Sequence, residues 1–238
     1  MSVGTILRST VLAAVGLSVM LTGCTVTTAG RPAAGPDLGR WQPPPIQAGQ
    51  LDGLLLGPSE VNAIGGSTNM EVRLAISRMS YDDDAVSNLS CLDIYSPIEG
   101  TVYRDSSWNA VSGQVLNDAV ALGSPRHALI QALVSFPDAE TAQQFFRQAK
   151  RRWSACDGRS VTVFRPGHPT STWAFRDVAT TDNTLTATQL PSFANGYTCQ
   201  RAMGLRNNVI IDALWCGFDT TTQAGEVVTK ISAAPTPG

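Results

Sequence analysis

The stretch 197–218, YTCQRAMGLRNNVIIDALWCGF, is the part of this chain that decides its fold. Two apolar-rich runs flank the Asn-Asn pair at 207–208, and asparagine tolerates the positive φ that a two-residue hairpin turn requires. We therefore predict a β-hairpin centred on this turn. Counting outward in its register places Cys199 opposite Cys216, in a non-hydrogen-bonded pair whose backbones approach closely. The hairpin thus predicts a disulfide between these two cysteines.

The cysteine content extends this pairing to the rest of the chain. There are five cysteines, and Cys24 is assigned below to a lipid anchor, which leaves an even number in an exported chain. That number predicts two disulfides. With Cys199–Cys216 paired, Cys91–Cys156 follows by elimination. Metal binding is the alternative, and no Cys-x-x-Cys pair is present to favour it.

The hairpin register also sorts the polar side chains by face. Arg201 and Asp212 share the face of the two cysteines, whereas Gln200 and Trp215 share the other. Arg201 is diagonal to Asp212 on a largely apolar face, close enough for long side chains to meet. This arrangement predicts either a structural ion pair or a contact with a ligand. Arg201, Asp212, Gln200 and Trp215 are the candidate ligand-binding residues.

Other segments predict the remaining elements. Residues 71–79 alternate apolar and polar side chains, which is the period of a strand. Further strands are predicted at 108–116, 128–136, 161–164, 173–178 and 185–190. Asp138 is placed to cap a long amphipathic helix, and short helices are predicted within 51–61 and at 224–231. Strands that follow one another with few helices between them predict a single α+β domain with a largely antiparallel sheet flanked by helices.

The N-terminal segment predicts where the protein resides. A weakly basic start containing Arg8 precedes an apolar run at 11–20, which is too short to span a bilayer as a permanent helix. The run ends in Leu21-Thr22-Gly23-Cys24, which resembles the lipobox of bacterial lipoproteins. The resemblance implies that Cys24 becomes the mature N-terminus and carries acyl chains such as palmitate. An ordinary secretory signal with a chance cysteine is the alternative.

These signals divide the chain into four parts. Residues 1–23 are the expected signal peptide, and 24–50 are a Pro/Gly/Ala-rich tether that cannot bury enough apolar surface to order itself. Residues 51–233 are the domain, because no second linker or repeat interrupts them, and 234–238 are a tail. We expect the domain to lie at the outer face of the plasma membrane, in the cell envelope, with the membrane as a partner through the acyl chains.

Charge and motifs argue against several classes of function. The formal net charge is −2 at pH 7, and the short basic run 150–152 falls within the predicted helix, so we expect no nucleic-acid partner. His127 and His168 are the two histidines, both predicted in loops, and no Gly-x-Ser-x-Gly elbow accompanies them. The three aspartates at 82–84 lack the spaced ligands and turn glycine of a calcium loop. We expect no metal, no cofactor and no catalysis.

Four segments resemble a known family. They are WNAVSGQ at 108–114, WSAC at 153–156, YTCQRA at 197–202 and RNNVI at 206–210. They are similar to the PknH-like extracellular sensor domain, which in mycobacteria occurs behind a transmembrane serine/threonine kinase and, separately, in lipoproteins. The resemblance implies the same two disulfides, an antiparallel sheet flanked by helices that form a cleft, and sensing of an undefined ligand. The chain has no Gly-rich loop with a following lysine and no His-Arg-Asp motif, so we expect binding rather than phosphorylation.

Three functional hypotheses follow. The first is a non-catalytic, lipid-anchored domain that binds a small molecule, glycan, lipid or other cell-envelope component in a cleft. The second is an interaction module that docks onto an envelope protein, which a broad apolar patch would favour. The third is a cell-wall hydrolase without a recognised motif, which two carboxylates converging in a cleft, one with a raised pKa, would favour.

Overall fold

An antiparallel sheet forms the centre of the structure, a computed structural model that describes residues 43–66, 69–120, 125–193 and 195–237. Within these residues the sheet has eight strands: β1 (Glu71–Ile76), β2 (Ala110–Asn117), β3 (His127–Ser135), β4 (Ser160–Val163), β5 (Ser171–Thr181), β6 (Thr184–Pro191), β7 (Thr198–Arg206) and β8 (Val209–Gly217). The helices are α1 (Pro58–Ile64), α2 (Leu92–Tyr95), α3 (Gly100–Tyr103), α4 (Ala139–Cys156) and α5 (Gln223–Ala233). None of the helices described here combines the length and apolar character that crossing a bilayer requires. The predicted signal peptide and Cys24 lie outside the described residues.

Two meanders build the sheet. The first consists of β1, β2 and β3, the second runs from β4 to β8, and α4 connects them. The second meander returns so that β8 pairs with β3, which gives the strand order β1-β2-β3-β8-β7-β6-β5-β4. Every pairing between strands is antiparallel. The structure confirms the α+β class and the largely antiparallel sheet predicted from the sequence.

The β7–β8 hairpin has the predicted register, with Cys199 opposite Cys216. The two turn asparagines have different roles. Asn207 adopts the positive φ, 51°, whereas the side chain of Asn208 accepts from the backbone nitrogen of Ile46 at 2.7 Å. Its amide nitrogen also donates to the backbone oxygen of Phe136 at 2.8 Å. Asn208 therefore ties the hairpin to two distant segments, which the turn pattern could not indicate.

Both predicted disulfides are present. Cys199 and Cys216, with Cα atoms 4.0 Å apart, join two neighbouring strands. Cys91 and Cys156, with Cα atoms 5.7 Å apart, join the segment before α2 to the last residue of α4. Their sequence separation is 65 residues, and closing a loop of that size stabilises a fold by about 4 kcal/mol through the entropy of the unfolded chain.

Each face of the sheet carries its own hydrophobic core. In the first core, α4 packs Phe145, Phe146 and Trp153 against one face. In the second core, α5 and the N-terminal residues pack against the other face, which includes Trp215. Gly204 of β7 allows α5 to approach the sheet closely, because an added Cβ would collide with the Val228 side chain. Both faces of the hairpin therefore contribute to a core.

The packed region begins before Leu51 and continues past residue 233, which corrects the sequence-based boundaries. Ile46 is 5 % exposed and belongs to the second core, although it falls in the predicted tether. At the other end, Arg206 donates to the backbone oxygen of Ala234 at 2.6 Å and to the hydroxyl of Thr236 at 3.1 Å. Residues 43–50 and 234–237 thus pack on the domain, because single side chains in these polar segments find partners that lie far away in sequence.

Two local predictions also differ from the structure. β1 ends at Ile76 rather than at Met79, because the chain leaves the sheet and pairs Ser80 with the segment around Glu99 instead. His127 was expected in a loop but is the first residue of β3. Both differences arise from pairing with residues that are distant in sequence, which local patterns do not report.

Candidate functional site

Arg201 and Asp212 form a buried ion pair. Both side chains are 0 % exposed, and the guanidinium contacts the carboxylate directly. Nη1 of Arg201 also donates to the backbone oxygens of Ala202 at 2.8 Å and Ala213 at 2.9 Å. The guanidinium carbon lies 5.1 Å from the ring centre of Trp153. The pair is therefore part of the core, and a ligand would reach it only if the core opened.

Asp212 anchors the segment that covers this part of the sheet. Its Oδ2 accepts from the backbone nitrogen of Ile98 at 2.8 Å and from the hydroxyl of Tyr103 at 3.2 Å. Burial raises the pKa of Asp212, and the charge of Arg201 opposes that shift. Burial also raises the pKa of Tyr103 well above its ordinary value, so the hydroxyl keeps its proton and donates. The network holds residues 92–103 against the sheet.

Gln200 and Trp215 lie on the opposite face, as the register predicted. Trp215 is buried in the second core, and Oε1 of Gln200 accepts from the backbone nitrogen of Gly225 in α5 at 3.1 Å. The four candidate residues are thus divided between two cores on opposite faces of the sheet. The structure therefore does not bring the four candidate residues together at one surface.

Other polar groups that stood out in the sequence have structural partners. Arg152, in the basic run, pairs with the buried carboxylate of Asp93 at 2.7 Å. Nδ1 of His127 lies 2.7 Å from Oδ2 of Asp118. Asp138 accepts from the backbone nitrogen of Thr141, which is the predicted helix cap. In the described part of the chain, no group of three or more His, Cys, Asp or Glu side chains is placed to hold a metal.

A cleft lies on the first face, beside the disulfide of the hairpin. Four aliphatic side chains stand directly opposite one another on neighbouring strands and form part of its floor: Leu74, Val115, Ile130 and Leu214. We call these four residues the aliphatic row. Leu74 is 60 % exposed and the other three are half-buried. None of the four packs into the first or the second core.

Residues 95–98 form the roof of the cleft. Together with the aliphatic row and the Cys199–Cys216 disulfide, they enclose a cavity of about 290 Å³. The amide nitrogen of Gln189, on the floor, donates to the backbone oxygens of Ile94 at 2.6 Å and Tyr95 at 2.8 Å. These bonds fasten the roof to the sheet.

A second chamber adjoins this cavity through the shared side chains of Tyr95, Arg165 and Trp173. It encloses about 390 Å³ and is also lined by His168 and Phe193. The ring of Trp173 lies edge-on to the rings of Tyr95 and Phe193, with both ring centres 5.9 Å away. Pockets for small ligands typically enclose roughly 300–1,000 Å³, and the combined volume of the two adjoining chambers falls within this range.

Arg165 supplies a positive charge at the junction of the two chambers. Its Nη2 lies 3.9 Å from Oδ2 of Asp82, and both side chains are well exposed. An ion pair of that length in solvent contributes little, so the guanidinium stays available to a ligand. Burial raises the pKa of Tyr95, although its hydrogen bond with Arg165 opposes the shift. The tyrosine hydroxyl is therefore a protonated neighbour of the guanidinium.

Local sequence patterns do not reveal these cleft residues. The hairpin register puts Leu214 on the face of the two cysteines, and Leu74 falls in the strand predicted at 71–79, but nothing local aligns β1, β2 and β3 with β8. The pairing of Ile130 with Leu214 joins residues separated by α4 and four strands. Only that long-range pairing brings the aliphatic row together.

The fold and the cleft together define a class of protein. Disulfides form and persist in proteins that fold outside the reducing cytoplasm. The two disulfides of this α+β domain are therefore typical of an extracytoplasmic domain. The chain belongs to the PknH-like extracellular domain family, whose model matches residues 46–234.

Two mycobacterial kinases are similar to this chain. The serine/threonine-protein kinases PknH of Mycobacterium bovis and Mycobacterium tuberculosis are each 35 % identical to this chain over 191 residues. The match covers 80 % of this chain but 32 % and 30 % of the two kinases, so the chain spans about a third of their length. The crystal structure of the extracellular domain of PknH from M. tuberculosis superposes with a TM-score of 0.75 at 33 % identity, covering 79 % of this chain and 96 % of that one. The family resemblance predicted from the sequence is confirmed.

Proposed function

We propose that this chain is a non-catalytic, sensor-like binding domain that holds a small molecule or cell-envelope component in its cleft. The aliphatic row carries this proposal, because its side chains face a cavity and pack into neither core. Removing an apolar surface from water is favourable, and a contiguous apolar patch left exposed on a domain usually marks a binding site. Ligand binding would supply that cover.

The rigidity of the cleft supports the same proposal. Its roof is fastened by Gln189 from the floor and by Asp212 through the backbone of Ile98. The Cys199–Cys216 disulfide braces the floor. A site that is already ordered loses little conformational entropy when a ligand enters, which favours affinity.

The distribution of carboxylates favours binding over hydrolysis. Asp82 is the one carboxylate among the described residues that line the two chambers. Glycoside hydrolases use a pair of carboxylates roughly 5–9.5 Å apart across the scissile bond. Glu99 lies nearby but is buried, and its Oε2 accepts from the backbone nitrogen of Asp82 at 3.0 Å. That acid is engaged in structure, so the described cleft does not assemble a hydrolytic pair.

We also propose that acylated Cys24 anchors the domain at the outer face of the plasma membrane. The motif Leu21-Thr22-Gly23-Cys24 supports this anchor, and kinship with an extracellular domain supports the location. Replacing Cys24 by serine should move the protein from the membrane fraction to the soluble fraction and abolish metabolic labelling with palmitate. Unchanged labelling of that variant would contradict the anchor.

Native mass spectrometry tests the cleft directly. The full chain is purified in oxidised form from a native-like envelope extract, and we expect a discrete adduct that is lost on unfolding. Ile130→Trp should fill the cavity and abolish the adduct. Val72→Trp is the matched control, because Val72 is exposed on β1 but pairs with Leu116 of the second core. An adduct that persists in Ile130→Trp, or a wild-type protein free of any adduct, would contradict binding in the cleft.

The outer edge of β1 favours a second candidate function, docking of an envelope protein. Among the described residues, β1 is the last strand on its side of the sheet and that edge has no strand partner. An open groove of about 870 Å³ runs along residues 74–82 as far as Trp108. An unpaired strand edge is a template onto which a partner can add a strand. A wild-type protein without adduct, together with an envelope protein crosslinked to β1 and lost in Leu74→Lys, would favour this function.

A further inference from the structure

The aliphatic row occupies an unusual place in the sheet. β3 and β8 are interior strands of the sheet, where aliphatic side chains are normally core. Ile130 and Leu214 nevertheless line a cavity, while their neighbours Ala132 and Ile210 lie in the first core. The cover provided by α4 therefore ends between these positions, and the row continues the apolar surface beyond it.

The dimensions of the row suit an extended hydrocarbon chain. Its four residues lie on four neighbouring strands, and strands are spaced about 4.8 Å apart, so the row is about 14 Å long. With carbon–carbon bonds of about 1.5 Å in a zigzag, this length matches an alkyl chain of about a dozen carbons. Direct cross-strand pairing makes the row a straight track perpendicular to the strands.

The floor offers little to recognise the hydroxyl groups of a sugar. The amide nitrogen of Gln189 already donates two hydrogen bonds to the roof. Trp173 donates its indole N–H to the hydroxyl of Ser171 at 3.2 Å. The aliphatic row and the Cys199–Cys216 disulfide add only apolar surface to the floor, while Ser80, Asp82 and Ser96 are polar side chains that also line the cavity. An apolar chain fits this surface better than a polyhydroxylated ligand.

A charged group completes the site. Arg165 lines both chambers and is held loosely by Asp82, at 3.9 Å. A guanidinium suits a carboxylate or phosphate, which it binds through parallel N–H donors. His168 lines the same chamber as Arg165. The apolar track and the guanidinium therefore belong to one continuous cleft.

We infer that the cleft binds a single-chain amphiphile, with its alkyl chain along the aliphatic row and its anionic head group at Arg165. This ligand class rests on the proposed binding function of the cleft. The shared chemistry is an alkyl chain with an anionic end, either a carboxylate or a phosphate. The chain's own acyl groups on Cys24 are a separate source of alkyl chains.

The experiment is calorimetric titration of the mature chain, residues 24–238, carrying Cys24→Ser. Without the signal peptide and the acyl chains this variant needs no detergent, which would itself be an amphiphile. The probes are dodecanoate, dodecyl phosphate and 1-dodecanol, each kept below its aggregation limit. Comparing the first two separates a carboxylate from a phosphate as the preferred head group.

Matched variants test recognition of the alkyl chain and of the anionic head group separately. Leu74→Asn should lower the affinity for all three probes at least tenfold. Val72→Asn, an equally polar change on the other face of the same strand, should leave these affinities unchanged. Arg165→Gln should lower the affinity for the two anions at least tenfold and leave that for dodecanol unchanged, whereas Asp82→Asn should raise the affinity for the anions. Both leucine and valine positions are exposed, so neither change threatens the core.

The outcomes separate this inference from the proposed function. If no probe binds while the envelope adduct of wild-type protein is still abolished by Ile130→Trp, the amphiphile is wrong and cleft binding stands. If no probe binds and the wild-type protein carries no adduct, both the amphiphile inference and the proposed binding function are wrong. If Arg165→Gln leaves the anions unchanged, the head-group assignment is wrong. A parallel titration of the acylated wild-type protein tests the last source of alkyl chains. If the probes bind the Cys24→Ser variant but not the acylated protein, the acyl chain of the protein itself occupies the cleft, which overturns a free amphiphile as the ligand.

Discussion

Arg201 illustrates how much of this fold depends on a single buried charge. Its guanidinium has lost all contact with solvent, and that loss is offset by Asp212 and by two backbone oxygens. Removing one partner of such a pair leaves the other charge buried without compensation. The sequence correctly placed both residues on one face but left open whether they bind each other or a ligand. Burial decides this in favour of structure.

We predict that Arg201→Met lowers the free energy of unfolding by about 3–5 kcal/mol. The reason is that Asp212 remains buried beside Ile98 and Tyr103 without its cation. Guanidinium chloride denaturation of the oxidised protein at neutral pH measures the change. The double variant Arg201→Met, Asp212→Asn should recover part of the loss, because asparagine still accepts from both donors. A single variant as stable as wild type would contradict the structural role.

At the scale of elements, α4 and the cleft roof differ in how well the sequence predicts them. α4 was predicted from the cap at Asp138 and the helical spacing of its apolar residues, which are local signals. α2 and α3 have four residues each, too few for a periodic signal. They form where residues 92–103 meet α4 and the sheet. Long-range contacts therefore set the roof, and only the structure reveals the cleft beneath it.

Glu99 joins the two chain segments next to the roof. It is buried, and its Oε2 accepts from the backbone nitrogen of Asp82. The backbone around it pairs with Ser80. Burial raises the pKa of Glu99, and hydrogen bonds from Ser96 and from the backbone of Asp82 only partly oppose this shift. Keeping this carboxylate ionised therefore weakens the fold at neutral pH.

We predict that Glu99→Gln raises the melting temperature at pH 7 and that its advantage disappears in acid. A carboxyl group with a raised folded-state pKa contributes stability below its unfolded pKa, here 4.5, and loses it as the pH rises through the folded value. The neutral amide does not undergo this loss. Thermal unfolding from pH 3 to pH 8 measures the difference.

Glu99→Ala is the matched control for the charge effect. It removes the hydrogen bond to Asp82 as well as the charge, so it should be less stable than Glu99→Gln at every pH. Equal melting temperatures of Glu99→Gln and wild type at pH 7 would show that ionised Glu99 does not destabilise the fold.

For the molecule as a whole, the two ends of the described chain meet on the second core. Ile46 is buried there, and both its backbone nitrogen and its oxygen bond to Asn208. Gln50 donates from its side chain to the backbone oxygen of Pro237. A Pro-rich composition suggested a tether through residue 50, yet a few apolar and polar contacts order residues 43–50.

We predict that starting the domain at Leu51 instead of Pro43 lowers the free energy of unfolding by about 2–4 kcal/mol, from the lost burial of Ile46 and the loss of its two backbone hydrogen bonds with the Asn208 side chain. Denaturant titration of the two chains measures this difference. Ile46→Ala in the longer chain should lose only the part of this free energy that comes from burial of the apolar side chain, because the backbone of residue 46 still bonds to Asn208. Equal stability of both chains would restore Leu51 as the boundary.

From the order of its amino acids alone, this chain specified the hairpin register, both disulfides, the long helix and the α+β class. These features follow from turn residues, side-chain periods and cysteine pairing, which act between neighbours or along a register counted from one turn. The burial of Arg201 and the exposure of the aliphatic row came only from tertiary structure. They depend on the pairing of β3 with β8 and on where α4 and α5 stop covering the sheet. Such contacts close long loops, and no local pattern encodes where those loops meet.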